Sequence, residues 1–284
     1  MAGAGLIEIK RRIKSVENTK KITKAMGLVA TSKLRRVRME LNKNNKYFEA
    51  TKNIAQEAFS SVDIEKEGIY FKGGQSKRKL YIVVTSDSGL CGGYNVSVAL
   101  GLKNHVGDEK SDSLVMCLGK KGVSYMKRYG FQTVAEYVDI KETSDMKEVS
   151  MIYKHALRLY NSNEVGEINV VYTEFTSPVS QVVKVEKLLP IEFDEIEEDR
   201  GFMVEPHSES SIEATFDFYL KSKLVNSILN AKTSEESARM TAMDGATKNA
   251  DDLLDSLHTK YNRIRQSAIT QEIAEIVGGA EAQK

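Results

Sequence analysis

The residues best placed to do chemistry are six in a row, Ser88-Gly89-Leu90-Cys91-Gly92-Gly93, which follow the β-rich run at 80–85. Glycine turns between a strand and a helix bind phosphate, because backbone N–H groups and the helix N-terminus converge there. The spacing opposes that reading: the chain has neither G-x-G-x-x-G nor G-x-x-x-x-G-K-[ST]. A tight strand-to-helix turn is the competing account. Cys91 invites a nucleophile, but a thiol nucleophile needs a base, and no histidine or carboxylate can be assigned to it. His105, His155, His207 and His258 are scattered, without an i, i+4 pair or metal-ligand spacing. The tract 192–205 sets Glu192, Asp194, Glu195, Glu197, Glu198, Asp199 and Glu205 against Arg200 alone. It lacks the calcium-loop pattern and reads as a solvated loop. Two cysteines, Cys91 and Cys117, are too few for a disulfide framework or a cysteine zinc site. They read as free thiols in a reducing compartment. The residues therefore assign no catalytic group, no cofactor and no metal.

Charge is the stronger signal. The chain has 284 residues and a net charge of +1, yet 10–46 holds thirteen basic residues against Glu17 and Glu40, a local net of +11. Lysine and arginine on a rod suit nucleic acid, but aromatic residues are missing from 6–46 and an apolar stripe persists beneath the charge. A packed face with a solvated basic face suits an acidic protein partner equally, since charge steers association and orientation. A nucleic-acid-binding protein with a coiled-coil arm is the alternative reading, and an enzyme using the glycine turn a third. No aliphatic run approaches a membrane span.

The elements that must carry these residues differ between ends and middle. The only prolines are Pro178, Pro190 and Pro206, so both ends can be long uninterrupted helices. With Leu6 at position a, the a series is Leu6, Ile13, Lys20, Gly27, Leu34, Leu41, Phe48, Ala55 and Val62. The d series is Ile9, Val16, Thr23, Ala30, Val37, Asn44, Thr51 and Ala58. Eight such heptads predict a coiled-coil rod of roughly 80 Å. Ser210 and Glu213 have capping-box spacing, and a second stripe follows: Met243, Ala246, Ala250, Leu253, Leu257, Tyr261, Ile264, Ala268. The two helices are expected to pair antiparallel, loosely near Lys20, Thr23 and Gly27. In the middle, strands at 80–85, 114–118, 131–138 and 168–175 alternate with helices from Asn95, at 120–129 and at 144–160, with an edge strand at 182–188. That order predicts a mostly parallel sheet covered on both faces. The fold class is α/β: a long antiparallel coiled coil of N- and C-terminal helices plus a central Rossmann-like α/β domain. The expected divisions are 1–67, 78–190 and 207–284, with a linker at 68–77.

Three separated motifs resemble the gamma subunit of the F-type ATP synthase. They are Asn18-Thr19-Lys20-Lys21-Ile22-Thr23-Lys24-Ala25-Met26 with Val29-Ala30-Thr31-Ser32-Lys33-Leu34-Arg35; Thr85-Ser86-Asp87-Ser88-Gly89-Leu90-Cys91-Gly92-Gly93-Tyr94-Asn95; and Tyr261-Asn262-x-x-Arg265-Gln266-x-x-Ile269-Thr270-x-Glu272-x-x-Glu275-x-x-x-Gly279-Ala280. The resemblance starts at Ala2, which disfavours the transit peptide that the basic, acid-poor start suggests. It implies a bacterial form, without the redox-regulatory cysteine pair of chloroplast members.

The resemblance also implies a role: a non-catalytic central shaft. Its partners would be the alpha and beta subunits forming a hexamer around it, the epsilon subunit and the c-subunit ring, with no nucleic acid. Its place would be peripheral, on the cytoplasmic face of the bacterial cell membrane. Carried over position by position, Met26, Gly27 and Leu28 would meet the acidic lever loop of beta, and Arg239 would be a shaft contact. Arg265, Gln266 and Thr270 would form a polar catch. Ile273, Ile276 and Val277 would sit in the apolar bearing of the hexamer, and Glu205 would contact the ring. Three positions depart from the family pattern: Ser88 stands where arginine is usual, Gly27 where a larger polar residue is usual, and Val204 where aromatics are common.

Overall fold

The computed structural model describes residues 2–60, 70–140, 146–178, 180–193 and 209–281. Their elements run α1 (Ala2–Ser60), β1 (Lys79–Val84), α2 (Tyr94–Val106), β2 (Ser113–Leu118), α3 (Lys120–Arg128), β3 (Gln132–Tyr137), α4 (Met146–Asn161), β4 (Glu167–Phe175), β5 (Gln181–Leu189) and α5 (Glu209–Glu281). A 3-10 turn at Glu109–Asp112, not expected from the sequence, leads into β2. The chain divides into two compact units, 1–30 with 240–284, and 31–239.

In the unit of 31–239 the sheet order is β3-β2-β1-β4-β5. β1 pairs parallel with β2 and β4, and β2 pairs parallel with β3. β5 closes one edge antiparallel to β4. A parallel strand buried on both faces must be apolar at successive positions, and β1 and β2 are. Leu80, Ile82, Leu114 and Met116 face a core shared with α4, α5 and α1 through Ile152, Leu220, Leu224 and Val37. Tyr81, Val83, Val115 and Cys117 face a second core shared with α2 and α3 through Val98, Leu102 and Met126. Phe131 lies just outside β3 because its N–H closes α3 on Met126 O at 3.0 Å. The glycine-rich stretch ahead of β1 is pinned: Gly74 N donates to Gly166 O at 3.1 Å, and Gly166 N donates to Arg78 O at 2.8 Å. The same unit pairs α1 with α5 antiparallel, since Asn45 meets Asn226 at 2.8 Å while Thr51 meets Ser222 at 3.2 Å.

In the unit of 1–30 with 240–284 the pairing is also antiparallel. Ile9 and Ile13 pack with Leu254 and Leu257, flanked by Val16, Tyr261 and Ile264. Every heptad a and d position of α1 among the described residues is buried or half-buried. The stripe on α5 needs a correction at two places. Leu254 is buried at 8% exposure while Leu253 is 40% exposed, and the layer at 247 is filled by Thr247, which hydrogen-bonds Thr23 at 2.9 Å. The seam thus runs Met243, Thr247, Ala250, Leu254, Leu257, Tyr261, Ile264. Its alternating four- and three-residue steps are the heptad repeat that places a and d on one line. Lys20 makes an ion pair with Asp251.

Gly27 faces Met243 and Asp244, and a Cβ there would lie 3.5 Å from each, an ordinary contact. Gly27→Ala therefore should stabilise the chain by roughly 1 kcal/mol through helix propensity alone. Urea denaturation checks it, and a lower midpoint would show that the close approach of the helices matters more.

Candidate functional site: the switch-point crevice and the exposed helix faces

In a doubly wound sheet, ligands bind outside the carboxyl ends of the strands where the winding reverses. Here β1 leads to β2 and β3 on one side while β4 lies on the other, so the crevice opens between the ends of β1 and β4. The glycine turn stands on its β1 side.

That turn is held from within. Asn95, buried at the start of α2, accepts from Ser86 N at 3.0 Å and donates to Ser86 Oγ at 2.7 Å and Cys91 Sγ at 3.2 Å. Thr85 Oγ1 donates to Leu118 O at 2.8 Å and accepts from Gly122 N at 2.9 Å. Asp87 Oδ1 accepts from Lys120 N and Asp139 N, both at 3.1 Å. Leu90 and Gly92 take positive φ, 62° and 56°.

The crevice itself is occupied by α5. Phe175 N donates to Asn230 Oδ1 at 3.3 Å, and Tyr94 Oη donates to Ala231 O at 3.1 Å. Ser234 Oγ donates to Thr173 O at 3.1 Å, and Ser237 Oγ to Pro178 O at 3.2 Å. Arg239 completes the row, with Nη2 3.0 Å from Ser88 Oγ and Nε 3.4 Å from Gly89 O. Its fork is fixed by Glu235 at 2.7 Å and Glu236 at 2.5 Å, all three residues being buried. Beside them lies a cleft of about 260 Å³ whose lining includes Lys33, Asp87, Ser88, Lys232, Glu235 and Glu236. Four carboxylates in that wall, those of Asp87, Asp139, Glu235 and Glu236, disfavour a phosphate. Among the described residues no group of histidine, cysteine, aspartate or glutamate could hold a metal ion.

Cys91 does not have the surroundings of a nucleophile. It is buried, its polar neighbours are Ser86, Ser88 and Asn95, and burial pushes its thiol up. Burial pushes the Cys117 thiol up to about 12. A thiol raised in the folded state favours folding fully below its unfolded pKa, about 8.5, and that contribution is lost as pH rises through the folded value. Expected, then, is slow native alkylation at pH 8 with both thiols free to react in denaturant. A urea midpoint should also fall between pH 8 and 11, and fall less in Cys117→Ala. Rapid native labelling of both would contradict this.

The other expected residues lie on helix faces. Met26 is half-buried, Gly27 is buried, and Leu28 is 66% exposed. Eleven of the thirteen basic residues at 10–46 are exposed, all but Lys20 and Lys33. Arg265, Gln266 and Thr270 are exposed, and Thr270 Oγ1 donates within the helix to Gln266 O at 3.0 Å. Ile269, Ile273, Ile276 and Val277 are all exposed too. Together they make an exposed apolar row near the C-terminal end of α5. Arg239 directs its donors into its own chain, apart from those groups. Glu205 and Val204 lie outside the described residues. Glu235 and Glu236 were missed in the sequence, although their i, i+4 and i, i+3 spacing to Arg239 is a readable ion-pair signal. Nothing in the sequence marks Asn230 or Ser234.

A family model described as ATP synthase matches residues 5–283. The ATP synthase gamma chain of Clostridium botulinum (strain Eklund 17B / Type B) is 55% identical over 285 residues, with 100% of both chains covered. The chain belongs to the ATP synthase gamma chain family. A second gamma chain, from Clostridium novyi (strain NT), is 54% identical with 100% of both covered. Among solved structures, a chain of the Euglena gracilis mitochondrial ATP synthase rotor matches with a TM-score of 0.72 and 18% identity, covering 94% of this chain and 99% of that one. A chain of the Tetrahymena thermophila mitochondrial ATP synthase central stalk and c-ring matches with a TM-score of 0.63 and 26% identity, covering 79% and 99%. The fold of a gamma chain is therefore the one described above, helical pair and five-stranded sheet together.

Proposed function

We propose that the chain is the central-stalk rotor shaft of an F-type ATP synthase, itself non-catalytic. It couples ion-driven rotation of the c ring to ATP synthesis or hydrolysis at the beta subunits. The observation that carries this reading is the full-length match to gamma chains. The crevice supports it as well, because α5 takes the place where a sheet of this winding holds a ligand. In this reading 1–67 and 207–284 form the shaft, and 78–190 forms the domain that meets the epsilon subunit and the ring, with Glu205 at the ring contact. Met26, Gly27 and Leu28 lie at the beta levers, whose acidity suits the exposed basic face. Arg265, Gln266, Thr270, Ile273, Ile276 and Val277 meet the alpha and beta hexamer. No helix among the described residues is long and apolar enough to cross a membrane; the chain attaches through the complex, on the cytoplasmic face.

Rotation does work only if the shaft favours a different beta conformation on each of its sides, since coupling is a differential interaction. Mixing the chain with alpha and beta subunits tests the reading. An ATP-hydrolysing complex containing the chain is expected, and failure to form one would refute it.

A further inference from the structure

We propose that residues 230–239 of α5 are the built-in occupant of the switch-point crevice and form a torque-bearing joint, in which Arg239 and Ser234 are positioning residues. The proposal rests on the rotor reading above.

The bonds reach α5 from both sides of the crevice. Ser88, Gly89 and Tyr94 hold it from the β1 side, and Thr173, Phe175 and Pro178 hold it from the β4 side. A load that turns α5 against the sheet in either direction lengthens one of the two sets. Apolar packing resists separation but is non-directional, so it yields more readily to sliding. Hydrogen bonds weaken steeply when lengthened or bent, so they resist shear. Arg239 adds stiffness. Its planar fork is locked by two buried carboxylates one turn back along the same helix, so the side chain that grips the turn cannot swing. Low local dielectric strengthens the buried bonds among them, Tyr94 to Ala231, Ser234 to Thr173 and Arg239 to its two carboxylates. Lysine would keep the charge without the fork.

The test uses the assembled complex in sealed vesicles, reading ions transported per ATP hydrolysed. Arg239→Ala with Ser234→Ala should lower that ratio at least threefold, and Arg239→Lys should lower it by an intermediate amount. A defect of folding or yield alone changes both rates together and leaves the ratio at its wild-type value. A wild-type ratio in the double variant overturns the proposal. Should the double variant not assemble, Arg239→Lys decides alone, and an unchanged ratio there overturns it. Failure of the wild-type chain to form an ATP-hydrolysing complex is a different result, which removes the rotor reading itself.

Discussion

Replacing Ile273 and Ile276 with lysine should lower the yield of assembled, ATP-hydrolysing complex at least a hundredfold while leaving the isolated chain as stable as wild type. The two side chains are 57% and 71% exposed, so the isolated chain has little apolar burial to lose. Lysine is a better helix former than isoleucine, and a cation near a helix C-terminus is favourable. Within the complex the balance reverses. Burying an isoleucine is worth about 1.5–3 kcal/mol, so losing two removes roughly 3–6 kcal/mol. Tenfold in affinity corresponds to about 1.4 kcal/mol. The desolvation of two ammonium groups adds to that loss. Complex yield by gel filtration, with Tm of the isolated variant as control, decides the matter. Normal assembly would mean that this exposed row is not the bearing.

Gly119→Ala should destabilise the chain by about 4 kcal/mol, at the high end for a single substitution. Gly119 takes a φ of +97°, and a Cβ there would lie 2.4 Å from Thr85 O. The left-handed backbone alone costs roughly 1–2 kcal/mol in a residue with a side chain. Relief of the clash requires the end of β1 to move. That movement strains Thr85 N→Leu118 O at 2.7 Å and the Thr85 Oγ1 bond to the same carbonyl, at about 1 kcal/mol each. Gly245→Ala, where a Cβ meets nothing within 4 Å, serves as the contrasting variant and should be neutral or stabilising. Urea midpoints of the two variants, measured side by side, test the assignment.

Much of this fold was legible in the sequence, because its elements announce themselves locally. Proline-free ends with a seven-residue repeat give two paired helices, and apolar runs between glycine turns give parallel strands. Leu253 shows where local reading stops. It and Leu254 are equally apolar neighbours, and only the partner helix decides which one enters the seam. The crevice was illegible for a related reason. Ser234, Asn230 and Arg239 lie far along the chain from Thr173, Phe175 and Ser88, and hydrogen bonds of that separation leave no periodicity. The glycine turn has the composition of a phosphate loop, but the chain fills the space beside it with its own helix. Resemblance to a known family contributed what the residues could not, namely that exposed Ile273 and Ile276 are an expected contact rather than an unexplained surface.

The polar layers in the pair formed by 2–30 and 240–281 have a consequence for length. Layers of leucine, isoleucine and alanine are interchangeable, so a uniform repeat cannot distinguish one alignment from the next heptad along. The Lys20–Asp251 ion pair and the Thr23–Thr247 hydrogen bond remove that ambiguity. Sliding α5 by seven residues would part both pairs and carry Asp251 to the level of Ile13 or Gly27. Each such step would also shift the free end of α5 by about 10 Å. These layers therefore act as a gauge, setting how far the row from Ile269 to Val277 stands beyond the first turn of α1.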